Sequence, residues 1–303
     1  MNFDVIGFGA LNFDILYTVR HLSQPGGHEP ILGIHKSPGG SAANTICGLS
    51  KLGFKTGFLG SVGSDHEGRK ILSCCDGDGV AAGHIQVYEG VSTGLIIGFV
   101  DKHGERTLYP YPSANNQFKL DPGDIEFASQ SKIVHFTSFV GDRQFQDQVR
   151  LMSELPESVK ISFGPGDLYV ERGFGALKEF LKRTNYLFVN RSEIEQLTGQ
   201  GFRDGARFLL DVGVSVVLVT LGEGGCLVAS REQSLEIPSE RVHQSDVVDT
   251  TGAGDSFAAG FLAGQLWDKS FEESARLGVR YAASCITALG ARTGLCGKDD
   301  FLG

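Results

Sequence analysis

The chain of 303 residues is long enough to bury one large α/β core or two smaller ones, and its 41% hydrophobic and 21% charged content excludes a disordered chain. A net charge of −9 without any run of Lys or Arg argues against nucleic acid or an anionic membrane as partner. We expect neither a signal peptide nor a membrane span, because no apolar run reaches the ~20 residues that a membrane helix needs. The six cysteines lack metal-ligand spacing and favour a reducing cytoplasm.

The first part of the chain predicts strands and helices at uneven spacing. We predict strands at 3–9 and 56–60, an extended piece at 31–36, and helices at 41–52 and 66–74. Two apolar segments, 94–100 and 106–109, flank Asp101-Lys102-His103-Gly104 and predict a hairpin. The piece 31–36 and this hairpin are candidates to pair as a small accessory sheet.

From residue 130 strands and helices alternate regularly. Strands are predicted at 133–136, 159–163, 186–189 and 214–220, with a strand pair at 226–228 and 234–237. Helices are predicted at 142–154, 170–182, 192–198, 202–212, 254–266 and 271–288. This alternation indicates a mainly parallel sheet with helices on both faces.

A glycine-rich turn near the C-terminus precedes an apolar helix and is the most informative segment. It reads Asp249-Thr250-Thr251-Gly252-Ala253-Gly254-Asp255-Ser256-Phe257. The N–H groups of Gly252, Ala253 and Gly254 would form an anion hole at a helix N-terminus, where phosphate commonly binds. Asp255 beside it suits a hydroxyl that attacks the phosphate. The alternative is a plain loop with Asp255 as the helix cap.

Together with this turn, further motifs resemble those of the PfkB (ribokinase-like) carbohydrate kinases. They are Gly39-Gly40-Ser41-Ala42-Ala43-Asn44, Asn190-Arg191-Ser192-Glu193 and Thr220-Leu221-Gly222-Glu223-Gly224-Gly225. The resemblance spans essentially the whole chain and implies a single domain, 1–303, with a ribokinase-like three-layer α/β/α sandwich and a small β-sheet lid. The lid would be built from about 12–40 and 85–112.

The implied reaction is transfer of the ATP γ-phosphoryl group to a primary hydroxyl of a small sugar. By resemblance, Asp255 is the catalytic base and the Gly252–Gly254 turn the anion hole. The implied sugar ligands are Asn12, Asp14, Gly39, Gly40, Asn44 and Asp255. The implied ATP contacts are Asn190, Thr220, Gly222, Gly225, Gly252 and Gly254, with residues 282–291 packing on the adenine.

Two cation sites are also implied by the resemblance. Asn190 and Glu193 would hold Mg²⁺ through water near the ATP phosphates, although an Asn followed three residues later by Glu is equally a helix capping box. Asp249 and Thr251 match positions that bind a monovalent cation, usually K⁺, with carbonyl ligands from Cys285 to Ala291.

The acceptor remains open at this stage. Ser41 stands where ribokinases proper have Lys, and Gly164-Pro165-Gly166-Asp167 replaces a common Asp-Pro-Asn turn, so ribose itself is in doubt. One alternative is a nucleoside kinase of the same family, whose base would need an aromatic slot. The candidates for that slot are Phe13, Phe99, Tyr109 and Tyr111. A non-catalytic sugar- or nucleotide-binding regulator is the other.

Residues of the lid carry the remaining predictions. We interpret Arg106 as a solvated strand charge, with a substrate contact as the alternative, and His28 and His35 as lid or surface residues. The exposed face of the lid predicts a homodimer formed through it.

Overall fold

The computed structural model describes residues 2–101, 105–243 and 246–302. Its large sheet has nine strands in the order β13-β12-β11-β10-β9-β8-β1-β4-β5. They are β1 (Phe3–Phe8), β4 (Thr56–Gly63), β5 (Ala81–Tyr88), β8 (Ser131–Thr137), β9 (Lys160–Gly164), β10 (Tyr186–Asn190), β11 (Val216–Thr220), β12 (Cys226–Ser230) and β13 (Ser234–Ile237). Strands β5 to β11 in this order run parallel, and β12 and β13 are antiparallel.

Eleven helices lie in the described part of the chain. They are α1 (Ser41–Lys51), α2 (His66–Gly77), α3 (Pro122–Ser129), α4 (Asp142–Glu154), α5 (Gly166–Val170), α6 (Gly173–Arg183), α7 (Arg191–Thr198), α8 (Phe202–Val212), α9 (Ala253–Leu266), α10 (Phe271–Cys285) and α11 (Lys298–Leu302). None of those helices combines the length and apolar character that crossing a bilayer requires.

Helices cover both faces of the large sheet. One apolar core joins the sheet to α1, α2, α9, α10 and α11, and a second joins it to α3 through α8. The predicted three-layer α/β/α sandwich is therefore confirmed. The continuous β-branched run of β11 is buried, as expected for a parallel strand covered on both sides.

The strand order reverses between β1 and β8. After β1, the strands β4 and β5 add on one side of it, whereas β8 to β11 add in succession on its other side. Ligands of open α/β sheets bind at such a switch point, outside the carboxyl ends of the strands. Here the first turn of α1 lies at this point, because the Ala42 N–H donates to Thr137 Oγ1 at the end of β8 (3.1 Å).

The second sheet has four strands in the order β3-β2-β6-β7. They are β2 (Asn12–Thr18), β3 (Gly33–Gly39), β6 (Gly94–Val100) and β7 (Arg106–Tyr111). The hairpin of β6 and β7 is confirmed, although its predicted tip, Lys102 to Gly104, lies outside the described residues. The predicted piece 31–36 does not pair with this hairpin, because β2 lies between them and pairs with both β3 and β6.

Several boundaries differ from the sequence prediction. Strands β2 and β5 and helices α3, α5 and α11 were not predicted, and residues 85–88 of the predicted lid range belong to β5 of the large sheet. The predicted helix 170–182 begins at Gly173, which has a φ of +78°, and a separate short helix, α5, precedes it. The predicted helix 271–288 ends at Cys285.

Candidate active site

The glycine-rich turn opens α9 as expected. Gly252 precedes the helix with a left-handed φ of +79°, and an added Cβ there would lie 2.5 Å from the Ala291 Cβ. A Cβ at Gly254 would meet no protein atom within 4 Å. In the described residues no protein acceptor meets the N–H of Gly252 or Gly254, whereas Ala253 donates to the Thr250 carbonyl (3.2 Å). Two of the three predicted anion-hole donors therefore have no protein acceptor among the described residues.

Asp255 lies in the first turn of α9 and is not its cap, since Gly252 takes that position. Its carboxylate accepts hydrogen bonds from Ser41 Oγ at Oδ1 (2.6 Å) and from Asn44 Nδ2 at Oδ2 (2.8 Å). Its carbonyl accepts one from Thr45 Oγ1 (3.2 Å). Three residues at the start of α1 therefore hold the residue that the sequence predicts to be the base.

Burial raises the pKa of Asp255, and the hydrogen bonds from Ser41 and Asn44 oppose that shift. The positive charges of Arg292 and Arg106 act in the same direction as those bonds. A carboxylate with a raised pKa and fixed orientation suits proton acceptance from a bound hydroxyl.

Asp14 faces the same space from β2. Its Oδ1 is buried without a hydrogen-bond partner among the described residues, and a Cβ at Gly39 would overlap the carboxylate. Burial raises its pKa to about 7, with Arg292 opposing and Asp255 adding to the shift. An unpartnered buried carboxylate oxygen is a site for a ligand hydroxyl.

The other predicted acceptor ligands surround Asp14. The Oδ1 of Asn12 accepts from Asn115 Nδ2 (2.9 Å), and Asn115 in turn bonds the Leu11 N–H and carbonyl. Gly40 has a φ of +100°, and a Cβ there would overlap the Ala10 carbonyl. Gly39 is therefore required by close approach of the Asp14 side chain, and Gly40 by its positive φ and by the backbone of the β1–β2 connection.

Asn190 and Glu193 form the capping box that the sequence left as the alternative. The Glu193 N–H donates to Asn190 Oδ1 and the Asn190 N–H donates to Glu193 Oε2, both at 2.8 Å. Burial raises the pKa of Glu193 to about 7, and the charges of Asp167 and Asp255 add to the shift. A half-buried carboxylate near two others fits Mg²⁺ held through water, and no direct cage of three ligands exists in the described ranges.

Asp249 is held by backbone donors. Its Oδ1 accepts from the Thr251 N–H and its Oδ2 from the Gly290 N–H, both at 2.9 Å. Although burial alone would raise its pKa, these bonds and the charge of Arg106 hold it below the ordinary value. The two segments predicted to bind a monovalent cation, 249–251 and 285–291, are therefore adjacent in the fold.

Arg106 is not simply a solvated strand charge. From β7 its Nη1 donates to Thr251 Oγ1 (3.2 Å), so it crosses from the lid to the glycine-rich turn. Strand register places Arg106 on the lid face that carries Asp14, His35 and Ser37. The Nε2 of His35 is buried without a partner among the described residues, so His35 is a lid residue that faces the site.

The four aromatic residues proposed for a nucleoside base do not face the site. Register places Phe13, Phe99, Tyr109 and Tyr111 on the opposite face of the lid from Asp14. Tyr17 and Phe99 stack on that outer face with ring centroids 5.4 Å apart. The aromatic slot inferred from the sequence is therefore wrong.

The predicted nucleotide side lies at the ends of β10 and β11. Thr220 ends β11 beside Asn190, Gly222 has a φ of +58°, and a Cβ at Gly225 would overlap the Ile237 carbonyl. Nearby, the Val248 N–H donates to the Ile286 carbonyl (2.9 Å). Exposed Val248 and Leu289 offer an apolar edge where the adenine contact of 282–291 is predicted.

One residue of the site was missed by sequence reasoning. Arg292, in the loop after α10, donates to Asn44 Oδ1 from Nε (2.8 Å) and to the Gly39 carbonyl from Nη2 (3.1 Å). A lone arginine in a loop carries no sequence signal for this contact.

This topology, with a glycine-rich turn and a carboxylate beneath a lid, is typical of a phosphotransferase of the ribokinase type. The family model described as pfkB family carbohydrate kinase matches residues 3–296, and the chain belongs to this family. An uncharacterized sugar kinase of Archaeoglobus fulgidus is 39% identical over 82% of this chain and 98% of its own. A nucleoside kinase of Methanocaldococcus jannaschii is 27% identical over 96% of this chain and 92% of its own.

Solved structures agree on the fold. The ribokinase of Arabidopsis thaliana, complexed with ribose and ATP, superposes with a TM-score of 0.87 at 24% identity, covering 100% of this chain and 98% of its own. The ribokinase-like fold predicted from the motifs is thus confirmed, and so is the expectation of a sugar kinase at the level of the family.

Proposed function

We propose that this protein transfers the γ-phosphoryl group of ATP to a primary hydroxyl of a small sugar. The observation that carries this proposal is the Asp255 carboxylate, held by Ser41 and Asn44 between two open N–H donors and the unpartnered Asp14. A binding protein has no need of a fixed carboxylate beside an anion site. A kinase needs both, one for the attacking hydroxyl and one for the transferred group.

The reaction follows from this arrangement. Asp14 accepts hydrogen bonds from the sugar hydroxyls, and the amide of Asn12 can donate to them. These bonds orient the primary hydroxyl toward Asp255. The hydroxyl takes the place of Ser41 at Oδ1, and Asp255 accepts its proton as charge builds on phosphorus. The N–H groups of Gly252 and Gly254 stabilise the charge of the transferred phosphoryl. Arg106 brings a positive charge from the lid to the same point.

The cations are part of the proposal. Asn190 and Glu193 would hold Mg²⁺ through water, where it would neutralise charge on the ATP phosphates. Asp249 and the carbonyls of 285–291 would bind K⁺ beside the turn. We further propose a homodimer through the outer lid face and a cytoplasmic location, since all six cysteines are free.

The experiment is ADP release from MgATP with K⁺ present. The acceptors are ribose, fructose, 2-keto-3-deoxygluconate, fructose phosphates, adenosine, cytidine and inosine. We expect turnover with one of the sugars. Turnover only with a nucleoside would replace the sugar by the second candidate, which the 27% identity to a nucleoside kinase favours. ATP binding without turnover on any acceptor would favour a regulator.

A further inference from the structure

Arg292 ties together three segments around the acceptor site. Its Nε and Nη2 donate to Asn44 and to the Gly39 carbonyl, and its Nη1 lies 3.3 Å from Cys47 Sγ. Each nitrogen of the guanidinium therefore contacts a protein atom of β3 or α1. A planar guanidinium holds three nitrogens in one fixed arrangement, whereas an ammonium has a single nitrogen and cannot span the same three partners in this geometry.

The loop that carries Arg292 is itself anchored at three points. Lys51 Nζ donates to the Arg292 carbonyl (3.2 Å), and Cys285 Sγ donates to the Ala291 carbonyl (3.5 Å). Two residues earlier, the Gly290 N–H binds Asp249. The guanidinium is thus presented from a backbone that the helices α1 and α10 and the turn before α9 all hold.

The partners of Asn44 determine which way its amide faces. Asn44 is 5% exposed, its Oδ1 accepts from Arg292, and its Nδ2 donates to Asp255. The two ends of an amide have nearly the same shape, so only the chemistry of the partners can distinguish them. Arginine has donors only and a carboxylate has acceptors only, so this pair permits a single orientation.

We propose that Arg292 is a positioning residue for phosphoryl transfer, which locks the Asn44 amide so that its Nδ2 holds the Asp255 carboxylate toward the acceptor hydroxyl. The proposal rests on the role of Asp255 in the proposed function. Without Arg292, only the Asp255 carboxylate itself orients the Asn44 amide, so the amide can turn away from it. The carboxylate then loses one of the two side-chain contacts that fix its direction.

The charge of Arg292 has a second effect on the same group. Asp255 is surrounded by Asp14 and Arg106 of the lid, Glu193 of α7 and Cys285 of α10, and Arg292 is one of two cations that lower its pKa. Removing that charge raises the pKa of Asp255. Because the base must be ionised for activity, the fall in activity on the acid side of the pH profile then begins at a higher pH.

The test compares Arg292→Gln and Arg292→Lys with wild type in the acceptor assay. We expect Arg292→Gln to lower kcat by about 10²-fold, since misplacing a reacting group costs on this order, with a smaller change in KM. For Arg292→Gln, the acid limb of the profile of kcat/KM against pH moves to higher pH. Arg292→Lys keeps the charge but not the fork, so it restores the acid limb and not kcat. Arg276→Lys, in an exposed pair with Glu272 on α10, is the control and stays at wild-type values.

A double-mutant cycle with Asn44→Ala separates positioning from a structural role. If Arg292 acts through Asn44, Arg292→Gln adds little to the loss in kcat once Asn44→Ala is present. Additive losses, or unchanged kcat in both Arg292 variants, would overturn the proposal. Should Arg292→Gln not fold, the cycle is run with Arg292→Lys. A wild type without turnover refutes the proposed function instead, so the two failures are distinguishable.

Discussion

At the scale of single residues, Asp14 makes stability depend on pH. Its pKa is raised to about 7 by burial, whereas the same carboxyl in an unfolded chain has the ordinary pKa of 3.8. The folded state therefore holds this proton more tightly, and stability falls as pH rises from about 4 to about 7. Above pH 7 the carboxylate is ionised in both states, and its burial lowers the free energy of unfolding by the full amount.

We therefore expect Asp14→Asn to be more stable than wild type at pH 8, by roughly 2–4 kcal/mol, and nearly equal to it at pH 4. Thermal unfolding at both pH values measures this. Asp4→Asn is the control of opposite sign. The pKa of Asp4 is lowered by its contacts with Lys132 and Lys55 against the opposing effect of burial, so this variant is the less stable one at pH 8. An Asp14→Asn difference that does not vary with pH would contradict the assignment.

Gly254 is a second residue whose role can be tested alone. A Cβ there meets no protein atom, so Gly254→Ala should fold with unchanged or higher stability, since Ala favours helix by about 1 kcal/mol. We expect phosphoryl transfer to fall at least tenfold, because the methyl group occupies the space predicted for phosphate. Gly175→Ala in α6, equally open, is the control and should keep full activity. Equal activity of the two variants would argue against the anion hole.

At the scale of elements, the start of α7 combines the capping box with the proposed Mg²⁺ site. Glu193→Gln keeps an oxygen that can accept from the Asn190 N–H but removes the charge that faces Asp167 and Asp255. Because the raised pKa makes the charge of Glu193 a stability penalty above pH 7, as for Asp14, we expect a higher melting temperature at pH 8. We also expect a several-fold higher Mg²⁺ concentration for half-maximal activity. Glu273→Gln in the capping box of α10 is the matched control. The Mg²⁺ role would be refuted if both variants showed the wild-type dependence.

The sequence predicts those strands and helices whose apolar residues recur with a regular period. The regular strands and helices after residue 130 were predicted because apolar periodicity marks them. Strand β5 was missed because Ala81-Ala82-Gly83-His84 has little strand character. Strand β2 was missed because its first residues, Asn12 and Asp14, serve the site and interrupt the apolar pattern.

The site shows the same division. Motif residues such as Gly252, Asp255 and Asn44 lie together where the sequence predicted them. Contacts between distant segments were not predictable, since Arg292 and Arg106 belong to no motif and reach the site only through the packing of loop and lid. The aromatic slot failed because strand register, which the sequence did not give for β2, sets the face of every lid side chain.

At the scale of the whole molecule, the outer lid face is an apolar surface that the described chain does not cover. Ile34 is 60% exposed, Tyr109 57% and Tyr111 53%, and all three lie on the face opposite Asp14. We expect a dimer in light scattering, and we expect Tyr109→Glu to convert it to a monomer. Leu108→Glu, on the inner face of the same strand, should remain a dimer. A wild type that is monomeric at working concentration would contradict this assembly.

The central claim is that Asp255 accepts a proton in a phosphoryl transfer from ATP. The most direct measurement is a comparison of Asp255→Asn with wild type, using the best acceptor of the panel, for both turnover and binding of ATP and acceptor. Asparagine preserves the size and much of the hydrogen bonding but cannot accept the proton, so turnover should fall by about 10²–10⁴-fold while both ligands still bind. Exposed Asp211→Asn on α8 is the control. Turnover of Asp255→Asn within a few-fold of wild type would contradict the account.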